Sequence, residues 1–449
     1  MTDFKIRKGY QVPIKGEAKK EIENLAQPPF VGVCPVAFEG VKPKLSVKVN
    51  DDVKVGTPLF FDKKAEDVKF LSPASGRVTA INYGPRRVIE EIVIATSGTY
   101  DYEAFPSHSQ AEIGGMDRET LIAELMQGGV WPYIRQRPYN RIADPANTPK
   151  AVFVNCMDSS PLANDPAFSL EGKSDAFNAG IQAMRVLCDN VHVCADGKDT
   201  EIMFSQPEGI QFHTFRGKHP AGLTGTHINR IDPINKGQWV WHIHARDLVM
   251  VGSLLLTGKY PIERVIAVAG PSAQNARYYR GQLGMKMQDI LKDNPVDDDI
   301  RIISGNVLNG HTKRNDAFLD FYDDLVTLLP EGGKPVLLGW MGPGINKTSI
   351  TPAFLSALMP NKRFDLDTSI NGGHRAIIAS GVYDKVVALD IFPEFLIKAT
   401  IAQDIDAMER LGILECDPED FALATYVCPS KTEVSQIIAE GLELMEKEG

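Results

Sequence analysis

The segment Val130–Arg141, VWPYIRQRPYNR, concentrates side chains that can recognise flat, oxygen-bearing groups. Aromatic faces stack on other rings, and guanidinium groups donate hydrogen bonds to oxygen acceptors. The same residue types are enriched in protein interfaces, so a ligand pocket and a contact with another protein are both open interpretations. The candidate residues of this segment are Trp131, Tyr133, Arg135, Arg137, Tyr139 and Arg141.

A second candidate segment is HPAGLTGTH, residues 219–227. Two glycines three residues apart, in a run of mostly short side chains, indicate a backbone that closely approaches a flat ligand or a packed helix. A tight structural loop is the alternative. The candidate ligand or interface residues are His219, Gly222, Gly225 and His227.

Two further segments match cofactor-binding motifs only in part. In WHIH, strand alternation would place His242 and His244 on one face, but no third metal ligand follows at a diagnostic spacing. In GWMGPGINKTS, residues 339–349, Asn346 stands where a phosphate loop needs glycine before its lysine, so a tight turn between domains is favoured. GxGxxG after a strand, GxSxG and HExxH are missing from the sequence, so residue spacing identifies no catalytic residue and no metal site.

Composition restricts the compartment and the partners. The 449 residues are 43% hydrophobic and 24% charged with a net charge of −10, which argues against a nucleic-acid-binding surface. Six cysteines without a CxxC pair are typical of free thiols in a reducing compartment. We find neither a secretion signal at the start nor an apolar run of about 18 to 20 residues, so we expect a cytoplasmic chain.

The hydrophobic patterns predict a multidomain chain of α/β and α+β type. Short alternating strands between residues 41 and 93 predict a small β-sandwich. AVFVNC, DAFNAGIQAMRVLC and NVHVCAD then alternate as strand, helix and strand, which is typical of a parallel sheet. ERVIAVAG, MKMQDILKD and DIRIISGNVLNG predict a small module of β-grasp type, and KTEVSQIIAEGLELMEKEG predicts a final helix.

These patterns divide the chain into four predicted domains. They are a biotinyl/lipoyl-like β-sandwich over residues 1–100, a Rossmann-like α/β domain over 101–257, a β-grasp-type module over 258–335 and an α-rich region over 336–449. In carrier proteins of the first fold, a lysine at a hairpin tip bears the cofactor, and Lys63, Lys64 and Lys69 lie in the corresponding segment. The turn chemistry around them differs from that of a carrier, so structural reuse of the sandwich is favoured.

Four segments resemble one protein family over practically the whole chain. They are SPASGRV, HPAGLTGTHINRIDP, RVIAVAGPSAQNARYYRGQLG and the tail DPEDFALATYVCPSK with its MEKEG ending. They are similar to the A subunit of the bacterial Na+-translocating NADH:quinone oxidoreductase (Na+-NQR). The resemblance implies a peripheral protein on the cytoplasmic face of the inner membrane, docked on integral membrane and peripheral subunits of a six-subunit pump. That pump passes electrons from NADH to ubiquinone and exports sodium.

More distant relatives imply which cofactors to expect. The domain order is also similar to the NADH- and flavin-binding subunit of respiratory complex I and to the cluster-bearing subunit of the ion-pumping ferredoxin:NAD oxidoreductase. Those relatives carry a glycine-rich flavin loop where this chain has bulky rings and Pro132, so the flavin site is expected to be degenerate. They also carry CxxCxxC runs ending in CP, whereas here Cys428-Pro429 has only Cys416 upstream, so a [4Fe–4S] cluster is not expected.

The resemblance therefore implies a chain without a redox cofactor of its own, with NADH, flavins and Fe–S centres in partner subunits. The Val130–Arg141 segment could then bind the ubiquinone headgroup, with rings stacking on it and arginines donating to its carbonyl oxygens. These side chains could instead fill the vacated flavin cavity or form an interface. An accessory role in the pump has two alternatives: a self-contained flavin or Fe–S electron carrier, and a carrier-type enzyme that uses one of the three lysines.

Overall fold

The computed structural model describes residues 2–197, 209–333, 339 and 341–449. The predicted boundary between residues 335 and 336 lies outside these residues, as does most of the KPVLLGW segment with which the last predicted domain begins. The first two strands, β1 (Thr2–Lys5) and β2 (Lys19–Asn24), pair in two larger sheets and not with the sandwich that follows them.

The N-terminal sandwich consists of a four-stranded sheet in the order β3-β9-β8-β5 and a three-stranded sheet in the order β4-β6-β7. Apolar residues at alternate positions, such as Ile92 and Ile94, fill the space between the sheets and are fully buried. The strands are β3 (Phe30–Val33), β4 (Pro43–Leu45), β5 (Asp52–Val53), β6 (Pro58–Asp62), β7 (Ala65–Leu71), β8 (Gly76–Tyr83) and β9 (Ile89–Thr96).

The central domain is built on a seven-stranded sheet in the order β1-β14-β13-β12-β15-β10-β11. The first five strands in this order are parallel, β10 runs antiparallel to β15, and β11 runs antiparallel to β10. Its remaining strands are β10 (Arg135–Arg137), β11 (Arg141–Ile142), β12 (Ala151–Cys156), β13 (Val191–Asp196), β14 (Gln211–Arg216) and β15 (Val240–His244).

Six α-helices in the described part of the central domain accompany this sheet, and the sequence explains where several of them begin and end. Asp117 caps the second helix by accepting from the backbone N–H groups of Glu119 and Thr120, and Gly128 ends it as predicted. All six residues of β12 are buried, which is expected for a parallel strand that is covered on both faces. The helices are α1 (Gln110–Gly114), α2 (Arg118–Gln127), α3 (Pro166–Ser169), α4 (Ser174–Leu187), α5 (Thr224–Ile231) and α6 (Ala245–Thr257).

The strand order creates a crevice in the central domain. From β12 the chain proceeds to β13 and β14 on one side and then crosses to β15 on the other side. In open parallel sheets, ligands bind outside the carboxyl ends of the strands at the point where the order reverses. The expected position of a site is therefore next to Cys156 and His244, where β12 and β15 end.

The third sheet has the order β19-β18-β20-β16-β17-β2. One of its faces packs against the C-terminal helices through buried residues such as Ala267, Leu325, Leu396 and Ile438. Its strands and the remaining helices are β16 (Glu263–Ala269), β17 (Arg277–Gln282), α7 (Met287–Ile290), β18 (Ile300–Ser304), β19 (His311–Lys313), β20 (Leu325–Pro330), α8 (Pro393–Ile401), α9 (Ile405–Arg410), α10 (Ala422–Val427) and α11 (Val434–Glu448).

The segment that partly matches a phosphate loop forms an irregular turn. The Lys347 ammonium group donates to the Gly339 carbonyl over 2.9 Å, and the Thr348 hydroxyl lies 3.2 Å from that of Tyr10. In the described part of the chain, the first α-helix after Gly339 begins at Pro393, so no described helix opens directly behind this lysine. Over the same residues, none of the helices has the length and apolar character needed to cross a membrane.

Candidate functional site

A cavity of about 170 Å³ lies at the carboxyl ends of β12 and β15. The central domain contributes Asn155 and Asp158 after β12, His242 and His244 from β15, and the start of α5. The third sheet closes the opposite side with the segments 305–309 and 322–325, and Glu419 reaches in from the C-terminal region. The position is the one that the strand order indicates.

Polar side chains hold the central-domain wall of this cavity in place. The Asn155 amide donates to the Gly222 carbonyl over 3.0 Å and to the Thr224 hydroxyl over 3.1 Å. Its oxygen accepts from the Met157 backbone N–H over 3.1 Å. One buried side chain thus links the end of β12 to the loop before α5, which fixes the cavity wall.

The surroundings of the two histidines of β15 favour their neutral forms. Burial, together with the cations of Arg137 and Arg135, holds the pKa of His242 well below its ordinary value. Burial and the cations of Arg246 and Arg135 do the same to the pKa of His244. Both line the cavity, as expected for residues on one face of a strand, and His242 Nε2 lies 3.1 Å from the Asn140 side-chain oxygen. Among the residues that the structure describes, no group of three or more His, Cys, Asp or Glu side chains could hold a metal ion.

The first half of the Val130–Arg141 segment reaches from the core to the cavity. Trp131 is fully buried, donates from Nε1 to the Ala143 carbonyl over 2.7 Å and packs edge-on against Trp241 at 5.5 Å. Tyr133 stacks on Phe321 at 4.7 Å between ring centres and contributes to the cavity wall. Trp131 is a core residue and does not line the cavity.

Arg135 is the arginine of this segment that faces the cavity. Its guanidinium group lies 4.8 Å from the centre of the Tyr322 ring and donates to the Asn140 carbonyl over 2.5 Å. The Tyr322 hydroxyl donates to the Pro132 carbonyl over 2.8 Å. Since Tyr322 precedes β20 of the third sheet, these contacts tie that sheet to the segment beside the cavity.

Arg137, two residues further on, has a different environment. It is fully buried and donates to Asp420 over 2.9 Å and to Glu419 over 2.6 Å, with Asp417 at 3.9 Å. Burial opposes its charge, but the carboxylates of Asp420, Asp417 and Glu419 outweigh that effect and raise the pKa of Arg137. Burial in turn raises the pKa of both Glu419 and Asp420. Arg137 therefore fastens β10 to the C-terminal region.

The last two predicted residues also contact the C-terminal region. Tyr139 adopts a positive φ of 75° and packs, half-buried, against the core that the third sheet shares with the C-terminal helices. Arg141 forms ion pairs with Glu39 over 2.7 Å and with Glu446 over 2.8 Å. The structure thus places two of the six candidates, Tyr133 and Arg135, in the cavity wall and the other four outside it.

The segment 219–227 lies beside the cavity, but its two histidines do not line it and instead contact neighbouring protein groups. His219 Nδ1 lies 3.2 Å from the Ser159 hydroxyl, and His227 Nε2 lies 3.0 Å from the Ala221 carbonyl. Gly222 lines the cavity and donates its N–H to the Ser159 hydroxyl over 2.8 Å. Gly225 has no room for a side chain, because a Cβ there would meet the Asp420 carboxylate and the Arg137 guanidinium group.

The third sheet and α6 supply charged wall residues that the sequence patterns did not indicate. Burial raises the pKa of Asp323 to about 6, and the Ser304 hydroxyl donates to its carboxylate over 2.5 Å. Burial also raises the pKa of Asp247. The only signal for Asn155, Arg246 and Asp247 is their place at the end of a predicted strand, where open sheets position ligands. Asp323 and Asp324 had no comparable signal.

Both cysteines of the tail form hydrogen bonds with other groups of the chain. The Cys428 sulfur lies 3.0 Å from the Tyr383 hydroxyl and accepts from the Thr432 backbone N–H over 3.3 Å. The buried thiol of Cys416 donates to the Gly412 carbonyl over 3.4 Å. Burial raises the pKa of Cys416 well above its ordinary value. Burial acts in the same direction on Cys428, but hydrogen bonds from the Tyr383 hydroxyl and the Thr432 backbone outweigh it and lower the pKa of Cys428.

Three family descriptions match successive parts of this chain. They are "NqrA N-terminal barrel-sandwich hybrid domain" at residues 4–97, "NqrA second alpha/beta domain" at 116–260 and "NQRA C-terminal domain" at 265–314. The first two confirm a β-sandwich followed by an α/β domain. The narrower fold names, biotinyl/lipoyl-like, Rossmann-like and β-grasp, stay predictions.

Curated relatives match over almost the full length. Proteins named as the A subunit of "Na(+)-translocating NADH-quinone reductase" from Alcanivorax borkumensis and Saccharophagus degradans are each 39% identical, over 99% of this chain and 100% of theirs. The protein of the same name from Vibrio parahaemolyticus is 37% identical over 99% of both chains. The chain therefore belongs to the NqrA family, as the four quoted segments predict.

Similarity to solved structures is weak. A chain from the crystal structure of NAD+-reducing [NiFe]-hydrogenase in the H2-reduced state matches 76% of this chain and 63% of its own length, at 10% identity and a TM-score of 0.38. A score of this size does not define a common fold.

Proposed function

We propose that this chain serves as the A subunit of a Na+-translocating NADH:ubiquinone reductase, a six-subunit translocase that exports sodium. It would dock on integral membrane and peripheral subunits on the cytoplasmic face of the bacterial inner membrane. Relatives with this name, matched over 99% of the chain, support the role. In this proposal, NADH, flavins and Fe–S centres are bound by partner subunits, and the isolated chain is not catalytic.

The chain would bind no redox cofactor of its own. The cavity at the switch point measures about 170 Å³, whereas sites for drug-sized ligands and cofactors usually provide roughly 300–1,000 Å³. A single ring fits that volume better than the three fused rings and phosphate chain of a flavin nucleotide. The absorbance spectrum of the purified chain tests this directly: we expect no flavin or cluster bands, and either band at one equivalent would favour a self-contained electron carrier.

The same cavity would accept the ubiquinone headgroup, and the position of Tyr133 and Arg135 in its wall is the observation that carries this proposal. The ring would lie against the aromatic residues, and Arg135 and Arg246 would donate to the carbonyl oxygens, which become more basic on reduction. The other four candidates of the segment, Trp131, Arg137, Tyr139 and Arg141, would act by holding this wall in place.

The four candidate residues of the segment 219–227 would hold the cavity wall in place next to α5. Gly222 contributes backbone to the cavity, and Gly225 allows the start of α5 to approach Asp420. His219 and His227 would keep the loop in shape through Ser159 and Ala221. In this proposal, the loop before α5 is part of the ligand site and does not form an interface with another subunit.

Titration of the purified chain with a tailless ubiquinone, followed by calorimetry, tests the headgroup site. Arg135→Gln should weaken binding by about ten-fold, the loss of one charge-assisted hydrogen bond. Arg77→Gln is a matched control, since Arg77 forms an exposed ion pair with Asp52 in the sandwich. Equal affinities for the wild type and both variants would refute the assignment of Arg135.

A further inference from the structure

Residues 341–362, called the 341–362 lobe below, carry large apolar side chains on the surface. Leu358, in a short 3₁₀ helix, is 80% exposed. The described residues between 101 and 340 have no large apolar side chain that is exposed. A cluster of such side chains marks a surface that contacts another surface. The exposed apolar residues of the lobe are Met341, Ile345, Leu355, Leu358 and Met359.

Hydrogen bonds hold the two ends of the 341–362 lobe together. Leu355 donates its backbone N–H to the Pro343 carbonyl over 3.0 Å. The Lys362 ammonium group donates to the Ile345 carbonyl and to the Asn346 side-chain oxygen, each over 2.8 Å. The exposed apolar side chains therefore belong to one local structure and not to separate loops.

The charge of this part of the chain is positive. Residues 332–364 contain no Asp or Glu, although 58 of the 449 residues of the chain are acidic. The Lys347 and Lys362 ammonium groups donate to uncharged oxygens, and Lys347 is exposed. Arg363 lies 3.5 Å from the Glu17 carboxylate. The cations of the stretch are Lys334, Lys347, Lys362 and Arg363, on a chain with a net charge of −10.

Exposed apolar side chains beside lysines suit the surface of a bilayer with anionic lipids. Apolar side chains enter the boundary between headgroups and acyl chains, and the lysines are attracted to the negative headgroups. A protein partner matches this lobe less well, because binding hot spots are enriched in Trp, Tyr and Arg and depleted in Leu. The described exposed apolar side chains of the lobe are those of Met, Ile and Leu.

We propose that the 341–362 lobe binds directly to the surface of an anionic bilayer. Leu358 and its apolar neighbours lie at the acyl boundary, and Lys347 and Lys362 lie at the lipid phosphates. This contact is with lipid and adds to the docking on membrane subunits, and simultaneous binding to both strengthens each through effective concentration. Lipid binding needs neither the headgroup site nor the other subunits, so the chain alone can test it.

Flotation of the full chain with lipid vesicles in a density gradient tests this contact. The vesicles contain phosphatidylcholine alone or an equal mixture of phosphatidylcholine and phosphatidylglycerol. The lobe variants are Leu358→Ser and Lys347→Gln, which change exposed side chains. Val36→Ser and Lys63→Gln are the matched controls, because they remove an exposed apolar side chain and an exposed cation from the sandwich.

We expect the wild type and both controls to float with the mixed vesicles and much less with phosphatidylcholine alone. Leu358→Ser should lower the partition coefficient about ten-fold, and Lys347→Gln about five-fold. Added salt should weaken the binding of the wild type, because ions screen the attraction to the headgroups. Unchanged midpoints of urea unfolding would show that both lobe variants are folded.

Four outcomes contradict the proposal. A wild type that does not float with the mixed vesicles refutes lipid binding, and equal flotation with both kinds of vesicle refutes the role of the lysines. If each control lowers flotation as much as its counterpart in the lobe, the contact lies elsewhere on the chain. If the wild type does not float, but Leu358→Ser is lost from membranes that contain the other subunits, the lobe contacts a protein and not lipid.

Discussion

The two halves of the Val130–Arg141 segment have opposite environments. Tyr133 and Arg135 border a cavity at the end of a parallel sheet, whereas Arg137 and Arg141 are held by carboxylates of the C-terminal region. Arg135 and Arg137 are two residues apart in one strand, and yet one borders a cavity and the other is buried against three carboxylates. The same side-chain type thus borders a cavity in one half and attaches β10 to the C-terminal region in the other, depending on what packs against the strand.

Removing the Arg137 ion pairs, which attach β10 to the C-terminal region, should have the largest effect on stability. Arg137→Met leaves Asp417, Glu419 and Asp420 without their shared cation in a buried place. Loss of one partner of a buried ion pair costs about 3–5 kcal/mol, so we expect the free energy of unfolding in urea to fall by that amount. A loss below about 1 kcal/mol would show that the cluster does not hold the two regions together.

Crowding the Arg137–Asp420 ion pair with a methyl group at position 225 should have a smaller effect on stability. In Gly225→Ala the new methyl group would meet the Asp420 carboxylate and the Arg137 guanidinium group, so this ion pair must shift. We expect a loss of about 1–3 kcal/mol in urea denaturation, the usual cost of overpacking. Gly115→Ala is the control for the methyl group itself, because Gly115 has a φ of −102° and the nearest atoms that a Cβ there would meet lie at 3.7 Å. A loss no larger than that of the control would argue against close packing at Gly225.

The free energy of unfolding should depend on pH because of Asp323 in the cavity wall. The folded-state pKa of Asp323 is about 6 against an ordinary 3.8, so the folded chain keeps a proton that the unfolded chain releases. The free energy of unfolding therefore falls as the pH rises from about 4 to about 6. Asp323→Asn should remove about 1–2 kcal/mol of this dependence, after allowance for partial exposure.

Asp320 should contribute to the pH dependence of unfolding with the opposite sign to Asp323. Burial favours its neutral form, but hydrogen bonds from His311 and Lys313 outweigh this and lower its pKa. Its contribution to stability is present above its unfolded pKa and is lost as the pH falls, which is the opposite sign. If Asp320→Asn and Asp323→Asn change the pH dependence of unfolding in the same direction, the assignment of Asp323 to a desolvated cavity wall is wrong.

The less buried end of the segment, at Arg141, should matter least for stability. Arg141 pairs with Glu39 and Glu446, both of which are more exposed than itself. Exposed ion pairs contribute about 0–1 kcal/mol, so Arg141→Met should change the free energy of unfolding by no more than that. An effect as large as that of Arg137→Met would remove the distinction between the buried and exposed parts of the attachment.

Local patterns predicted many elements of this fold, and long-range pairing explains what they missed. Alternation predicted the sandwich strands, and the Gly128-Gly129 pair predicted the end of α2. Nothing near β1 indicates that Thr2 pairs opposite His213 in the central sheet, because a strand's partner depends on residues far along the chain. The same holds for Lys19 opposite Arg277 in the third sheet.

The candidate site was predictable in kind but not in detail. Residue types alone selected the Val130–Arg141 segment, but they could not distinguish Arg135 from Arg137. The difference is made by Asp420, which lies 283 residues after Arg137 in the sequence. The rule that ligands bind at the carboxyl ends of strands could have added Asn155 and Arg246 from the sequence. The rings at Trp131 and Tyr133 lie partly in core contacts, which only the packing of Trp241 and Phe321 reveals.

The most direct test of the account is a crystal structure of the wild-type chain soaked with tailless ubiquinone. The account predicts electron density for the ring in the 170 Å³ cavity, against Tyr133 and within hydrogen-bond distance of Arg135. Density for the ring at any other place on the chain, with this cavity holding only water, would contradict it.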